Sequence, residues 1–398
     1  MTLEERFKKY IAFDTMSSET SKTYPSTVSQ LNFGDMLVED LKEIGVSNAY
    51  KDEYGLVYGF IDAKKDKTIC LIAHMDTSPA LIGGIKNPKN VYNYQGDDIV
   101  LNDKYVLSPK VFPFMKNLIG DDLLVTDGEH LLGGDDKAGV AIIFEVAKYF
   151  VLHKEEFNFN LSICFTPDEE IGAGWKHFDV KKAKADFGFT LDGESIYEAN
   201  HENFNASSAT INIHGVGVHP GSAKDVMENA ASIAAEFQNL MPKNEVPEKT
   251  EGYKGFIHLC SISGDVEKAT LEYIIRDHNK NKLLEKEKLM ENGVETLRKL
   301  HIKAKIEIDI KSEYKNMAYY FREHPEAIEL INKAYLKSGT KLSYTPIRGG
   351  TDGAMITYMG LPCPNLGTGD FNPHGRYEFV SLTEMNKMVE IIKDLLRE

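Results

Sequence analysis

Five short segments of this chain each end an apolar run in residues able to bind a metal. They are Ile72-Ala73-His74-Met75-Asp76, Gly133-Gly134-Asp135-Asp136-Lys137, Phe165-Thr166-Pro167-Asp168-Glu169-Glu170, Thr190-Leu191-Asp192-Gly193 and Asn372-Pro373-His374-Gly375. A hydrolytic site with two metals needs two imidazoles, several carboxylates and one spare carboxylate as base, and the five segments together supply that set. Oxygen and nitrogen donors without thiolates suit zinc, manganese or cobalt. The expectation is a binuclear metal centre.

Taken singly, each segment has an ordinary reading. His74-x-Asp76 is a polar turn, or a ligand with the carboxylate that orients it. Asp135-Asp136 is a solvated helix start, or a ligand pair at a helix amino terminus, where the backbone dipole favours carboxylates. Residue types alone do not say which of the two would bind. Glu169-Glu170 leaves a strand after a proline, and in an extended chain neighbouring carboxylates point apart. One would then face metal and the other substrate and water. Asp192 and His374 read as turn and loop residues until the other segments are considered.

The elements that must position these residues follow from periodicity. Helical spacing over residues 3–15 and 28–44, with Gly45 as a stop, precedes short apolar runs at 56–61 and 69–74 that read as strands. The second of these delivers His74 and Asp76 at its carboxyl end, where open α/β sheets gather their sites. Residues 81–130, rich in Asn, Asp, Gly and Pro, are either a long functional loop or a small β-insertion. A helix over 138–152 and a buried strand over 160–166 follow. From residue 207 the pattern is strand 207–214, helix 229–241, strands 255–262 and 268–276, helix 282–301 and strand 302–310. That order is a split β-α-β-β-α-β sandwich. The fold expected is therefore α/β. A catalytic domain with a mixed central sheet flanked by helices spans 1–205 and 313–398, and a smaller α+β lid domain is inserted at 206–312. Arg348–Thr351 is assigned to a loop of the first domain.

Composition mainly excludes. The 61 acidic and 46 basic residues give a formal charge of −15, which disfavours nucleic acid or an anionic membrane as partner. No run reaches the eighteen apolar residues of a membrane span. Cys70, Cys164, Cys260 and Cys363 form no CxxC pair and read as buried free thiols of a reducing compartment. The first residues do not resemble a secretory signal, so the cytoplasm is the expected location.

The motifs resemble the M20 family of co-catalytic metallopeptidases along the whole chain. The words are His74-Met75-Asp76-Thr77-Ser78-Pro79, LLGGDDKAG at 131–139, FTPDEEIG at 165–172, KHFDV at 176–180, ENFNA at 202–206, VHPGSA at 218–223, YIIRD at 273–277, PIRGGTDGA at 346–354 and LPCPNL at 361–366. The resemblance implies two zinc ions per subunit, with cobalt or manganese as substitutes. His74, Asp135 and Asp192 would hold one, and Asp135, Glu170 and His374 the other, with Asp135 bridging. It implies that Asp136 is not a ligand, that Asp76 orients His74 and that Glu169 is the general base for a zinc-bridged hydroxide. His219, Arg276 and Arg348 would bind substrate, and domain closure would complete the site. The activity implied is release of the amino-terminal residue from tripeptides. A related dipeptidase, carboxypeptidase or deacylase, or a silent peptide- or metal-binding protein, is the alternative. A homodimer through an edge strand of the inserted domain is compatible with the sequence but not required by it. The approach to the last histidine, Gly369-Asp370-Phe371-Asn372-Pro373, departs from the more usual aromatic-rich one.

Overall fold

The structure, a computed structural model, describes residues 1–398 as two compact units. The first comprises Met1–His201, Tyr319–Thr345 and Thr351–Glu398; the second comprises Glu202–Ala318 with Pro346–Gly350.

The first unit is built on an eight-stranded mixed sheet. Its strands run in the order Tyr50–Lys51, Val57–Ile61, Asn160–Thr166, Thr68–His74, Phe187–Gly193, Asn365–Gly367, Glu198–Asn200 and Ser343–Tyr344. The four central strands, from Asn160–Thr166 to Asn365–Gly367, are parallel. Every residue of Asn160–Thr166 and Thr68–His74 is buried, as expected where helices cover both faces of a parallel sheet. Register aligns His74 with Thr166 and Ile72 with Thr190, so these strands finish side by side. The helix Gly134–Leu152 packs on them, burying Val140, Ile142, Ile143, Phe144 and Phe150 around most of its circumference. Leu3–Ile11, opened by a capping box of Thr2 and Glu5, covers that helix in turn.

Residues 81–130 resolve as a β-insertion. Lys89–Val91 and Leu123–Val125 join Phe379–Ser381 and Asp370–Phe371 in a four-stranded antiparallel sheet. Tyr94, Ile99, Leu107, Met115, Leu118, Phe371 and Phe379 form its own small core. The 370–381 hairpin, which carries His374, therefore stands on this insertion.

The second unit has the β-α-β-β-α-β order: Asn205–His214, Ala230–Leu240, Phe256–Gly264, Lys268–Asp277, Lys280–Leu300 and Lys305–Tyr314. The antiparallel sheet runs 256–264, 268–277, 205–214, 305–314, and buries Ile211, Leu271, Tyr273 and Ile275 against Phe237, Met290 and Leu297. It is a few residues wider than 206–312, because asparagines stitch its two chain crossings together. Asn203 Oδ1 accepts from Met317 N at 2.7 Å, and Asn205 Oδ1 accepts from Asn316 N at 3.0 Å. Residues 346–350 also belong here and not to the first domain. Ile347 N donates to Glu202 O at 2.9 Å, and the Arg348 guanidinium donates to the carbonyls of Gly252 and Lys254 at 2.6 and 2.8 Å. No helix is long and apolar enough to cross a membrane. Cys70, Cys164 and Cys363 are buried, whereas Cys260 is exposed, contrary to the expectation of four buried thiols.

Candidate metal centre

The carboxyl ends of three parallel strands supply half of the site. His74 closes its strand with a side chain only 2% exposed. Its Nδ1 lies 3.2 Å from Asp76 O and 3.4 Å from Asp76 Oδ1, which leaves Nε2 pointing at Asp135 Oδ1, 2.8 Å away, and at Asp192 Oδ1, 3.6 Å away. Asp76 does more than orient this ring. Its Oδ1 accepts from Glu169 N at 3.0 Å and its Oδ2 from Glu170 N at 3.2 Å. Those two bonds curl the strand exit into a 3-10 turn, Glu169–Ile171, closed by Gly172 N donating to Glu169 O. The extended exit expected from sequence is corrected accordingly.

The other half comes from the Asp135 turn and the hairpin. Asp135 and Asp136, joined by a cis peptide, have non-helical dihedrals, and the regular helix begins at Lys137. Asp135 Oδ2 lies 3.0 Å from His374 Nε2, so its two oxygens face two different imidazoles. His374 Nε2 also lies 2.9 Å from Glu170 Oε2. The structure thus brings together His74, Asp76, Asp135, Glu170, Asp192 and His374, with Glu169 on the same turn as Glu170.

Asp136 is the other candidate of this turn. It stands near His74 and Asp192, and all three offer donors within 4.8 Å of one another. Its oxygens, however, are engaged: Oδ2 accepts from His74 N and Oδ1 from Gly139 N, both at 3.1 Å. Its carboxylate holds backbone in place, while that of Asp135 lies between the histidines.

Electrostatics mark the cluster as built for cations. Burial, then repulsion from Asp192, pushes the Glu169 carboxyl well above its usual range. Burial raises Glu170 to about 7, against a lowering by its His374 contact, and burial raises Asp192 too. Asp135 is the exception: burial works to raise it, but the two histidines outweigh that and hold it low. The hydrogen bonds to Asp135 and Glu170 lift His374 to about 10. Burial opposes protonation of His74, yet its three carboxylate neighbours raise it well above normal. His74 and His374 are thus the side chains that pair with these carboxylates.

The donors fit divalent metal ions on the structure's own terms. Two imidazole Nε2 atoms and carboxylates of Asp135, Glu170 and Asp192 converge, and Glu170 Oε1 is buried with no hydrogen-bond partner. A buried, unpaired carboxylate oxygen is costly unless a cation takes it.

The three residues expected to bind substrate lie in the second unit. His219 is exposed, and its Nδ1 accepts from Gly221 N at 3.1 Å. Arg276 donates to the carbonyls of Ser207 and Ile275, both at 3.0 Å, and stacks over Tyr314. Arg348 sits over Phe204 and Phe256 while holding the 250–254 loop.

Sequence reasoning missed three buried acids around the site. Asp168 accepts from Ser26 N at 2.6 Å and Gln30 Nε2 at 2.7 Å, anchoring the residue before Glu169. Asp352 accepts from Trp175 N at 3.0 Å and Thr166 Oγ1 at 3.2 Å. Glu378 accepts from Gly133 N at 3.0 Å and Asp135 N at 3.2 Å. All three lie beside motif residues, but only the folded chain shows which amides they meet.

A parallel sheet with two carboxylate-linked histidines beyond its strand ends, joined to a split sandwich, defines a class of metal-dependent hydrolases. Residues 127–398 match the family model described as Peptidase family M20/M25/M40, and the chain belongs to that family. It is a peptide hydrolase of the metallopeptidase kind. It is 48% identical to the Peptidase T of Clostridium acetobutylicum over 98% of this chain and 96% of that one. It is 46% identical to that of Caldanaerobacter subterraneus, again over 98% and 96%. Among solved structures, aminopeptidase PepT from Bacillus cereus superposes with a TM-score of 0.75 at 21% identity, covering 99% of this chain and 97% of that chain. A Bacillus subtilis protein described as a dinuclear metal-binding M20 peptidase gives a TM-score of 0.66 at 12% identity, over 99% and 96%.

Proposed function

We propose that this chain is a zinc-dependent aminopeptidase that removes the first residue from tripeptides. The observation that carries the reading is Asp135, whose two oxygens address His74 and His374 separately, as a bridging ligand must. His74, Asp135 and Asp192 would hold one ion, and Asp135, Glu170 and His374 the other. Cobalt or manganese would substitute, since no thiolate is present to select zinc. When bound, such a pair of ions makes a nucleophile of water near neutral pH and polarises the scissile carbonyl.

The chain's own residues do the rest. Glu169 takes the proton of the attacking water and passes it to the leaving amine. Its place is held from two sides: Asp76 accepts from its backbone N–H, and the preceding residue, Asp168, is anchored by Ser26 N. Asp76 also keeps the imidazole of His74 turned so that Nε2 faces the site. Substrate contact is assigned to His219, Arg276 and Arg348; exposure of the His219 ring supports it most directly, while both arginines already bind backbone carbonyls. Tripeptide length rests on the resemblance of the motifs to the family, and a cytoplasmic location on the three buried, unpaired thiols. A homodimer through an edge strand of the second unit's sheet belongs to the same proposal; sedimentation would show it as twice the chain mass.

The test is hydrolysis of a free-amine tripeptide by zinc-loaded protein beside its N-acetylated form, a dipeptide and a tetrapeptide. Release of the first residue from the unblocked tripeptide alone is expected. Cleavage of the blocked peptide would point to a carboxypeptidase or deacylase, and no turnover with metal bound to a binding protein.

A further inference from the structure

Glu378 is fully buried one residue before the strand Phe379–Ser381, in the same hairpin that carries His374. Its carboxylate spans the turn leading to Asp135, accepting from the amides on both sides of Gly134 at 3.0 and 3.2 Å. Gly134 is pressed from the hairpin's other strand as well: any Cβ there would collide with the Asp370 carboxylate. The backbone of Glu378 is engaged too, its N donating to Gly375 O at 3.3 Å and its O accepting from Thr126 N at 3.4 Å. One residue therefore ties together the hairpin tip and the β-insertion through its backbone and the turn that presents Asp135 through its side chain. No equivalent contact runs from Glu378 to the strand-end ligands, where Asp76 and Asp136 hold His74.

We propose that Glu378 is the positioning residue for one of the two metal positions, that of Asp135, Glu170 and His374, and not for that of His74 and Asp192. This rests on the two-metal reading above. His374 and Asp135 lie far apart in sequence on separate elements, so their separation is set by whatever joins those elements. Glu378 joins them directly. Glutamine there keeps one acceptor for two backbone donors and turns its amide NH2 toward the second, so the turn shifts relative to the hairpin. Asp135 Oδ1 stays near His74, because Asp136 still binds His74 N.

The experiment is calorimetric titration of metal-free protein with Zn²⁺ for the wild type and Glu378→Gln, with His374→Ala and His74→Ala as references. The wild type should take up two ions. Glu378→Gln should bind one as before and the other more weakly by about tenfold or more, the loss typical of removing an outer partner of a ligand. Its curve should approach that of His374→Ala. Equal weakening of both ions, no weakening, or a curve like that of His74→Ala overturns the proposal. A wild type binding fewer than two ions would instead sink the two-metal reading, and this inference with it. Should the glutamine variant not fold, Glu378→Asp, which keeps the charge but falls short of both amides, must show the same selective loss.

Discussion

His74 and His374 offer the same imidazole nitrogen to the same aspartate from very different backbone. His74 ends a strand buried along its whole length, and its side chain is 2% exposed. His374 sits near a hairpin tip in the left-handed region, φ +61°, with Asn372 at +55° beside it and a side chain 49% exposed. The strand half is held by the sheet's own ladder and by Asp76, so its geometry is as stable as the core. The hairpin half stands on a small separate core and depends on side-chain tethers such as Glu378. Regions with fewer buried contacts open at lower cost. The lesson is that a symmetric ligand list conceals one position set by the fold and another set by tethers.

The largest effect expected is on turnover. Glu169→Gln should lower kcat by about 10²–10⁴ while both ions still bind, because the base is lost but no ligand is. Loss of an ion with that variant would make Glu169 a ligand instead of the base.

Stability of the metal-free protein separates the two halves directly. His74→Ala leaves one buried and two partly buried carboxylates without their partner and should cost about 3 kcal/mol or more in denaturant unfolding. His374→Ala removes a half-exposed imidazole from two largely buried carboxylates and should cost less, about 1–2 kcal/mol. Equal losses would end the contrast between rigid and tethered positions.

Asp76→Asn leaves one acceptor for two glutamate amides and weakens the hold on His74. A loss of about 10–100-fold in metal affinity or activity is expected, falling on the His74 side of the site. An unchanged enzyme would show that the sheet alone sets this half.

An effect outside the metal cluster concerns the helix that follows the hairpin. Glu384 accepts from Ile196 N at 3.1 Å, and burial raises its carboxyl to about 7. A carboxyl raised on folding binds its proton more tightly in the native state. Its contribution is therefore complete below about 4.5 and is lost as pH climbs through 7. Glu384→Gln should accordingly gain on wild type by about 1 kcal/mol per pH unit between those values, and by nothing further above them. A constant difference across pH would place the charge of Glu384 in water.

Much of the site was legible in the chain because strands advertise themselves. The runs before His74, Glu169 and Asp192 are apolar and short, and ligands at their ends follow from the parallel sheet. The split sandwich was readable for the same reason, its alternation and helix spacing being local. What escaped reading was where separated segments meet. The different surroundings of Asp135 and Asp136, one between two imidazoles and the other on the amides of His74 and Gly139, depend on such a meeting. The transfer of Pro346–Gly350 to the second unit turned on Arg348 finding the carbonyls of a loop about a hundred residues earlier.

By itself, then, the sequence determined the candidate donors, the α/β class and the inserted sandwich, because residue chemistry and periodicity are properties of short stretches. Tertiary structure alone decided that the two oxygens of Asp135 face His74 and His374 separately, that Asp76 curls the glutamate turn and that Glu378 ties the hairpin to the turn before Asp135. Those are distances between atoms far apart in the chain, and only packing and hydrogen-bond satisfaction in the folded molecule set them.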